Sequence, residues 1–535
     1  MDHSLTYFLW RLCLFVLYSK SLLTVASSTG LNIVYILADD LGFNDLSYLG
    51  STQILTPNID RLAREGVIFA RHYSQSLCSP SRASLLTGKY PMHLGMQNGV
   101  IKEGEPWGLD LNERTLPQLL KKLGYSTYGI GKWHLGHHKL DYYPVRRGFD
   151  SWFGFMGADI DYFNYTTGYP GLFNGEMGRD MVRNTEPVLN ITGMYSTDLF
   201  AEEAEKVILQ AENNVPYFIY FAPNAPHVAT YREPFQATPQ YLLRPGIQEI
   251  TDSNRQNYAA MVSGLDNAVG RIHAALTSKN QLQNTIIVFA SDNGGQIPQQ
   301  VIPIQPIGAA NNWPFRGGKG MYFEGGIHTP AFVWLPAKLR NNIEPINDDL
   351  FHISDWLPTL YEAAGGREDS SEDIDGKSQW KQILGHNDQP ARTDILINVD
   401  EVAGQAVLVT SNWKLLIGPD KFLQKGEIKW YRPPGTSDTF PRRQESNASI
   451  KCAPAALTEK RSCDGTVRYC LYDLTNDPCE TDNVANEQPG IMTQLLGTIA
   501  QYSKSAIAGR QKPFDARADP KLHNGMWTAW DDSNP

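Results

Sequence analysis

The chain has 535 residues, of which 41% are hydrophobic and 19% charged, with a formal net charge of −10. That length buries a large core and predicts two domains, and the composition excludes an extended disordered chain. The acidic balance excludes a nucleic-acid footprint, which needs a basic face.

In chain order, Phe8 to Tyr18 is mostly apolar, with Arg11 and Lys20 nearby and a small-residue site at Thr24-Val25-Ala26. These features predict a signal peptide over residues 1–26. The apolar run is too short to span a bilayer and no second one follows, so stable membrane insertion is not expected. The terminal Trp530-Asp531-Asp532-Ser533-Asn534-Pro535 has no hydrophobic tail or retention signal. Sequons at Asn164, Asn190 and Asn447 are expected glycosylation sites. Together they place the chain in the secretory pathway, secreted or lysosomal.

Continuous apolar runs predict strands covered on both faces. They are Asn32–Ala38, a weaker one from Tyr125 to Ile130, Tyr217–Phe221, Thr285–Phe289 and Ala331–Leu335. Helices are expected from Thr56-Pro57 to Gly66, from Thr115-Leu116-Pro117 to a C′ glycine at Gly124, over Asp198–Asn213 and over Gln256–Leu276. The alternation predicts an α/β fold with a large, mainly parallel sheet flanked by helices, over residues 29–395. Shorter strands, turns and four cysteines from about residue 396 predict a smaller β-rich α+β domain with an antiparallel sheet, 396–535.

Cys452, Cys463, Cys470 and Cys479 are numerous enough for two disulfides and Cys13 lies in the leader, which leaves Cys78 unpaired. It opens Cys78-Ser79-Pro80-Ser81-Arg82, with Pro80 suited to the first turn of a helix. Free N–H groups and the helix dipole there favour an oxyanion. A cysteine beside an arginine at such a place is a candidate reactive centre; the alternative is an inert buried thiol.

Polar groups follow the strands: Asp39-Asp40, then Gly131-Lys132-Trp133-His134, then His227, then Asp292-Asn293-Gly294-Gly295. Ligands bind at the carboxyl ends of strands in open α/β sheets, so these groups are expected to converge. Asp39, Asp40, Asp292 and Asn293 are hard oxygen ligands that suit Ca²⁺ or Mg²⁺. Arg82, Lys132 and Lys319 are cationic. With one divalent ion they outweigh the three aspartates by two charges, so the pocket attracts a small anion despite the acidic surface. Lys132 and His134, two apart on an extended segment, are expected to point the same way.

These motifs resemble the sulfatases, specifically the arylsulfatase B-like (N-acetylgalactosamine-4-sulfatase-like) branch, over nearly the whole mature chain. Cys78–Arg82 with Leu85-Leu86-Thr87-Gly88 fits one signature of that family. Gly124–Thr127 through Gly131-Lys132-Trp133-His134-Leu135-Gly136 fits a second. Asn312-Trp313-Pro314-Phe315-Arg316-Gly317 and Leu471–Pro478 complete the likeness. The resemblance implies the alkaline-phosphatase-like fold and sulfuric ester hydrolysis. It implies that a formylglycine-generating enzyme oxidises Cys78 to formylglycine, whose hydrate attacks the sulfate ester and then expels sulfate. It further implies one Ca²⁺ per subunit on Asp39, Asp40, Asp292, Asn293 and the modified Cys78. Arg82 would steady the hydrate, His134 take a proton with Lys132 nearby, and His227 and Lys319 bind sulfate and assist the departing alcohol. The branch's extra catalytic-domain cysteines are absent here.

A related phosphatase would have Asp-His-Gly where this chain has Asp292-Asn293-Gly294. A sulfated-glycan-binding pseudoenzyme would be expected to lack Cys78, Lys132 or His134, and none is lost. The substrate reading divides between glycosaminoglycan N-acetylgalactosamine 4-sulfate and small dietary sulfates such as glucosinolates. Trp107, Trp313 and Tyr162 are candidates for sugar or aryl contacts, with core packing as the alternative.

Overall fold

A computed structural model describes residues 30–168, 173–230, 233–298, 307–341, 343–367, 373–387, 389–418, 430–432, 460–463 and 467–532. The leader, Cys13, Cys452 and Asn447 lie outside the described residues. The main sheet contains β1 (Asn32–Ala38), β2 (Val67–Phe69), β3 (Ser126–Lys132), β4 (Ser151–Phe155), β5 (Val182–Arg183), β6 (Glu186–Pro187), β7 (Tyr217–Ala222), β8 (Thr285–Ser291), β9 (Ala331–Trp334) and β10 (Ile346–Asn347). Their order across the sheet is β10-β2-β9-β8-β1-β7-β3-β4-β5-β6. The central five, β8 to β4, are parallel neighbours.

Strand period two sends alternate residues of each apolar run to opposite faces. Val34, Ile36, Ile219, Phe221, Ile287 and Phe289 enter one core. Ile33, Tyr35, Leu37, Phe218, Tyr220, Ile286 and Val288 enter the other. The first core is covered by α1 (Pro57–Glu65), α4 (Ser196–Gln210) and α5 (Ser253–Ser278). The second is covered by α2 (Cys78–Thr87), α3 (Leu116–Lys122) and α6 (Trp356–Ala363). Both faces of the strands are thus apolar, which is why the runs are continuous.

The expected helix after Thr115 forms, with Thr115 and Gln118 in a reciprocal capping box. It terminates before Gly124, whose φ of +86° is the left-handed conformation that favours glycine. The predicted strands and longer helices form with ends shifted by a few residues; α5 starts at Ser253 because Asp252 accepts a hydrogen bond from the Arg255 N–H.

A second, antiparallel sheet has the order β11 (Asp394–Asp400), β12 (Gln405–Thr410), β13 (Trp413–Ile417), β14 (Tyr469–Asp473), and α7 (Pro489–Tyr502) packs on it. Cys463 is bonded to Cys470 and Cys479 is also disulfide-bonded, while Cys78 is free and buried. Asn164 and Asn190 are exposed. Among the described residues no helix is long and apolar enough to cross a membrane.

Candidate active site

Parallel registry aligns the strand ends. Ala38 pairs with Ser291, Ile36 with Phe221, and Ala222 with Gly131. The residues that follow therefore emerge at one edge of the sheet, where α2 begins with Cys78.

Asp39, Asp40, Cys78 and His227 each place one ligand-capable atom within 4.8 Å of the others. Asp292 Oδ2 accepts from Arg82 Nη2 at 2.8 Å and Nε at 3.0 Å, a two-pronged grip that orients the guanidinium. Asp292 Oδ1 accepts the Asp40 N–H at 3.3 Å. The Asn293 amide donates to Asp40 Oδ1 at 2.7 Å. Lys132 donates to Asp39 Oδ2 and Lys319 to Asp40 Oδ2, both at 2.7 Å. All these side chains are buried.

Two oxygens in this cluster, Asp39 Oδ1 and Asn293 Oδ1, are buried without a hydrogen-bond partner. Orphaned buried acceptors are costly and need a reason. A hard cation among oxygen donors supplies one, so the donor set fits Ca²⁺ or Mg²⁺. Burial, then the neighbouring Asp39, raises the Asp292 carboxyl despite Arg82 and Lys132. Three aspartates thus crowd one pocket, the condition that an added cation relieves. Burial pushes the Cys78 thiol up to about 12 although Lys132 and Lys319 oppose it, so at neutral pH it is a thiol.

Both histidines have a fixed hydrogen-bond direction. His134 Nε2 lies 2.8 Å from the Ile101 carbonyl, so that nitrogen donates and Nδ1 carries the lone pair. His134 Nδ1 is buried without a partner. His227 Nδ1 lies 2.6 Å from the Val228 carbonyl, which leaves Nε2 to accept from Lys319 Nζ at 3.0 Å. Burial, then Lys132 and Arg82, holds His134 well below the usual range; burial, then Lys319, does the same to His227.

The extended geometry expected between Lys132 and His134 is not what the structure has. Strand β3 ends at Lys132, and His134 has φ +60°, with its N–H donated to the Met156 carbonyl. The chain turns because β4 ends alongside and captures those amides. His134 still faces the site, where Lys132 and Arg82 are its charged neighbours.

The aromatic candidates divide. Tyr162 is fully buried and its hydroxyl donates to the Asn224 and His227 carbonyls, both at 2.8 Å, so it braces the His227 turn. Trp107 is buried and donates to Glu105 at 2.7 Å. Trp313 packs under the Arg432 guanidinium, 4.5 Å from its ring centre. Sequence reasoning passed over Tyr220, whose hydroxyl accepts from Arg82 Nη1 at 3.4 Å, and Asn312, whose amide donates to the Gly295 and Gly317 carbonyls. Tyr220 reads as one more apolar strand residue, but Asn312 lies inside a quoted motif and was open to notice.

The chain is similar to known proteins over most of its length. A family model described as Sulfatase matches residues 31–366. Mouse arylsulfatase J is 35% identical over 519 residues, covering 93% of this chain and 80% of that protein. Rat N-acetylgalactosamine-6-sulfatase is 33% identical over 388 residues, 70% of each. The crystal structure of Ps i-CgsB in complex with k-i-k-neocarrahexaose superposes with a TM-score of 0.70 at 26% identity, covering 91% of this chain and 95% of that one. The chain therefore belongs to the sulfatase family and is a sulfuric ester hydrolase.

Proposed function

We propose that this chain cleaves sulfate monoesters with a formylglycine made from Cys78, beside a Ca²⁺ ion held by Asp39, Asp40, Asp292 and Asn293. The observation that carries the reading is the free, buried Cys78 at the head of α2, beside Asp39 and Asp40 and the orphaned oxygens of Asp39 and Asn293. When present, the hydrated aldehyde supplies a hydroxyl nucleophile and the cation polarises the sulfate.

The chain's own side chains do the rest. Lys132 and Lys319 face the pocket with buried ammonium groups that donate to an anionic sulfate. Arg82, gripped by Asp292, adds fixed positive charge beside the Cys78 position. His134, neutral with Nδ1 unpartnered, is oriented to accept a proton there. The Lys319 Nζ to His227 Nε2 contact holds a proton that can pass to the departing alcohol oxygen. Burial excludes water and strengthens each of these interactions.

Within the family we infer the arylsulfatase B-like branch, supported by the near full-length match to arylsulfatase J. We take residues 29–395 as the catalytic domain and 396–535 as the second domain. The substrate we favour is a sulfated glycan, supported by the names of the relatives and by the neocarrahexaose in the complex above. The leader reading and the exposed Asn164 and Asn190 support passage through the secretory pathway, ending outside the cell or in the lysosome.

The test is the mass of the peptide containing Cys78, from protein made in a secretory host. A loss of about 18 Da relative to cysteine marks the aldehyde. An intact thiol, in a host that converts a control sulfatase, leaves a chain that binds sulfated glycans without cleaving them.

A further inference from the structure

Lys319 lies in a loop that the second domain holds from behind. The Gly320 N–H donates to the Ser76 carbonyl at 2.7 Å and the Gly325 N–H to the Arg316 carbonyl at 2.8 Å. The Gly294 N–H, next to Asn293, donates to the Gly326 carbonyl at 2.9 Å. Backbones approach so closely that a Cβ on Gly325 would lie 2.3 Å from the Gly317 oxygen, and one on Gly294 1.9 Å from the Gly325 oxygen. Any displacement at residues 324–326 is therefore passed on to Lys319 and Asn293.

Glu324 anchors that segment through four partners. Its Oε2 accepts from Tyr73 at 3.0 Å and lies 2.7 Å from His328 Nδ1. Its Oε1 accepts from Lys414 Nζ at 2.9 Å, and its N–H donates to Glu480 Oε2 at 2.7 Å. Lys414 also lies 2.8 Å from Glu480 Oε1. Lys414 is on β13 and Glu480 follows β14, so both reach across from the second domain. All five side chains, Glu324, Tyr73, His328, Lys414 and Glu480, are buried. Glu480 has φ +59°, a conformation a non-glycine residue holds only when its surroundings fix it. Burial pushes Glu480 up to about 7 although Lys414 opposes it, while Lys414 and then His328 hold Glu324 at about 2 against its own burial.

We propose that Glu480 and Lys414 are positioning residues for the reaction: through Glu324 they fix the 316–326 loop, and so the place of Lys319 against Asp40 and His227. This rests on reading Lys319 as a sulfate-binding group. The second domain is then part of the catalytic apparatus, although it supplies no group that touches sulfate through this network.

The experiment uses the full chain carrying Glu480→Gly, Glu480→Gln or Lys414→Met. Glu480→Gly removes the carboxylate without straining the backbone; Glu480→Gln keeps an acceptor for the Glu324 N–H. Hydrolysis of an aryl sulfate and amide hydrogen exchange are measured well below the unfolding temperature. Glu480→Gly and Lys414→Met are expected to lower kcat/KM roughly tenfold to hundredfold, the effect of a misplaced group. Exchange is expected to rise at residues 317–326, and Glu480→Gln to restore most of both. In a Lys319→Ala background the Glu480→Gly loss is expected to shrink below roughly threefold, because the two act in one chain of contacts. Faster exchange confined to the four-stranded sheet, or a loss unchanged by Lys319→Ala, overturns the proposal. If Lys319→Ala leaves activity intact, the reading of Lys319 fails, and exchange at 317–326 still decides whether the network holds the loop.

Discussion

Lys132 Nζ donates to one oxygen of Asp39 at 2.7 Å and leaves the other, Oδ1, without a hydrogen bond. The lysine neutralises the carboxylate and holds it in one orientation, but does not saturate it. The open oxygen is the one available to a cation.

Calcium is accordingly expected to stabilise the folded chain. At about one hundred times its dissociation constant, a ligand bound only by the folded state adds about 2.7 kcal/mol. A thermal shift titration with Ca²⁺ is expected to raise the unfolding temperature of the wild type and not that of Asp39→Asn. An equal shift in both would remove Asp39 from the site.

Cys78→Ala is expected to fold, because a small apolar side chain replaces a buried thiol. Its hydrolysis of aryl sulfates is expected to fall by roughly 10⁴-fold or more, as when an enzyme loses its nucleophile. Residual activity within tenfold of the wild type, about 1.4 kcal/mol in the barrier, would sink the covalent reading.

Tyr162→Phe removes one hydroxyl that joins the Asn224 and His227 carbonyls. Loss of a buried hydrogen bond costs about 1 kcal/mol of stability. Because the same hydroxyl orients the turn carrying His227, kcat is expected to fall several-fold while inhibition by inorganic sulfate changes little. Denaturant unfolding and steady-state kinetics on one preparation check both halves.

Glu103 gives a pH signature of stability away from the Asp39, Asp40 and Asp292 cluster. Burial, then Asp159, pushes its carboxyl up to about 8, and its Oε2 is buried without a hydrogen-bond partner. A raised acid favours the protonated form in the folded state. Its contribution is complete below the ordinary glutamate range and is lost as pH rises through about 8. The wild type is expected to lose unfolding temperature relative to Glu103→Gln, which keeps an acceptor for the Ala158 N–H, as pH rises from the ordinary glutamate range to about 8, and to level off above that. Parallel pH profiles for the two proteins would show that Glu103 is not the group responsible.

What the sequence by itself determined was the scaffold and the chemistry at its edge. Runs such as Ile33–Ala38 and Ile286–Ala290 are apolar at every position because both faces are covered, and each is followed within two residues by a carboxylate pair or an Asp-Asn. Local pattern suffices there, since strand ends in a parallel sheet share one edge whatever the loops do. Tertiary structure alone decided the rest. The left-handed turn at His134 depends on β4 ending beside it, and Tyr162 became a brace because His227 folds back over its hydroxyl. The Glu480, Lys414 and Glu324 contacts join residues up to 156 positions apart across two domains. Each is an ordinary charged residue in sequence, and only close approach in a water-free interior makes them one network.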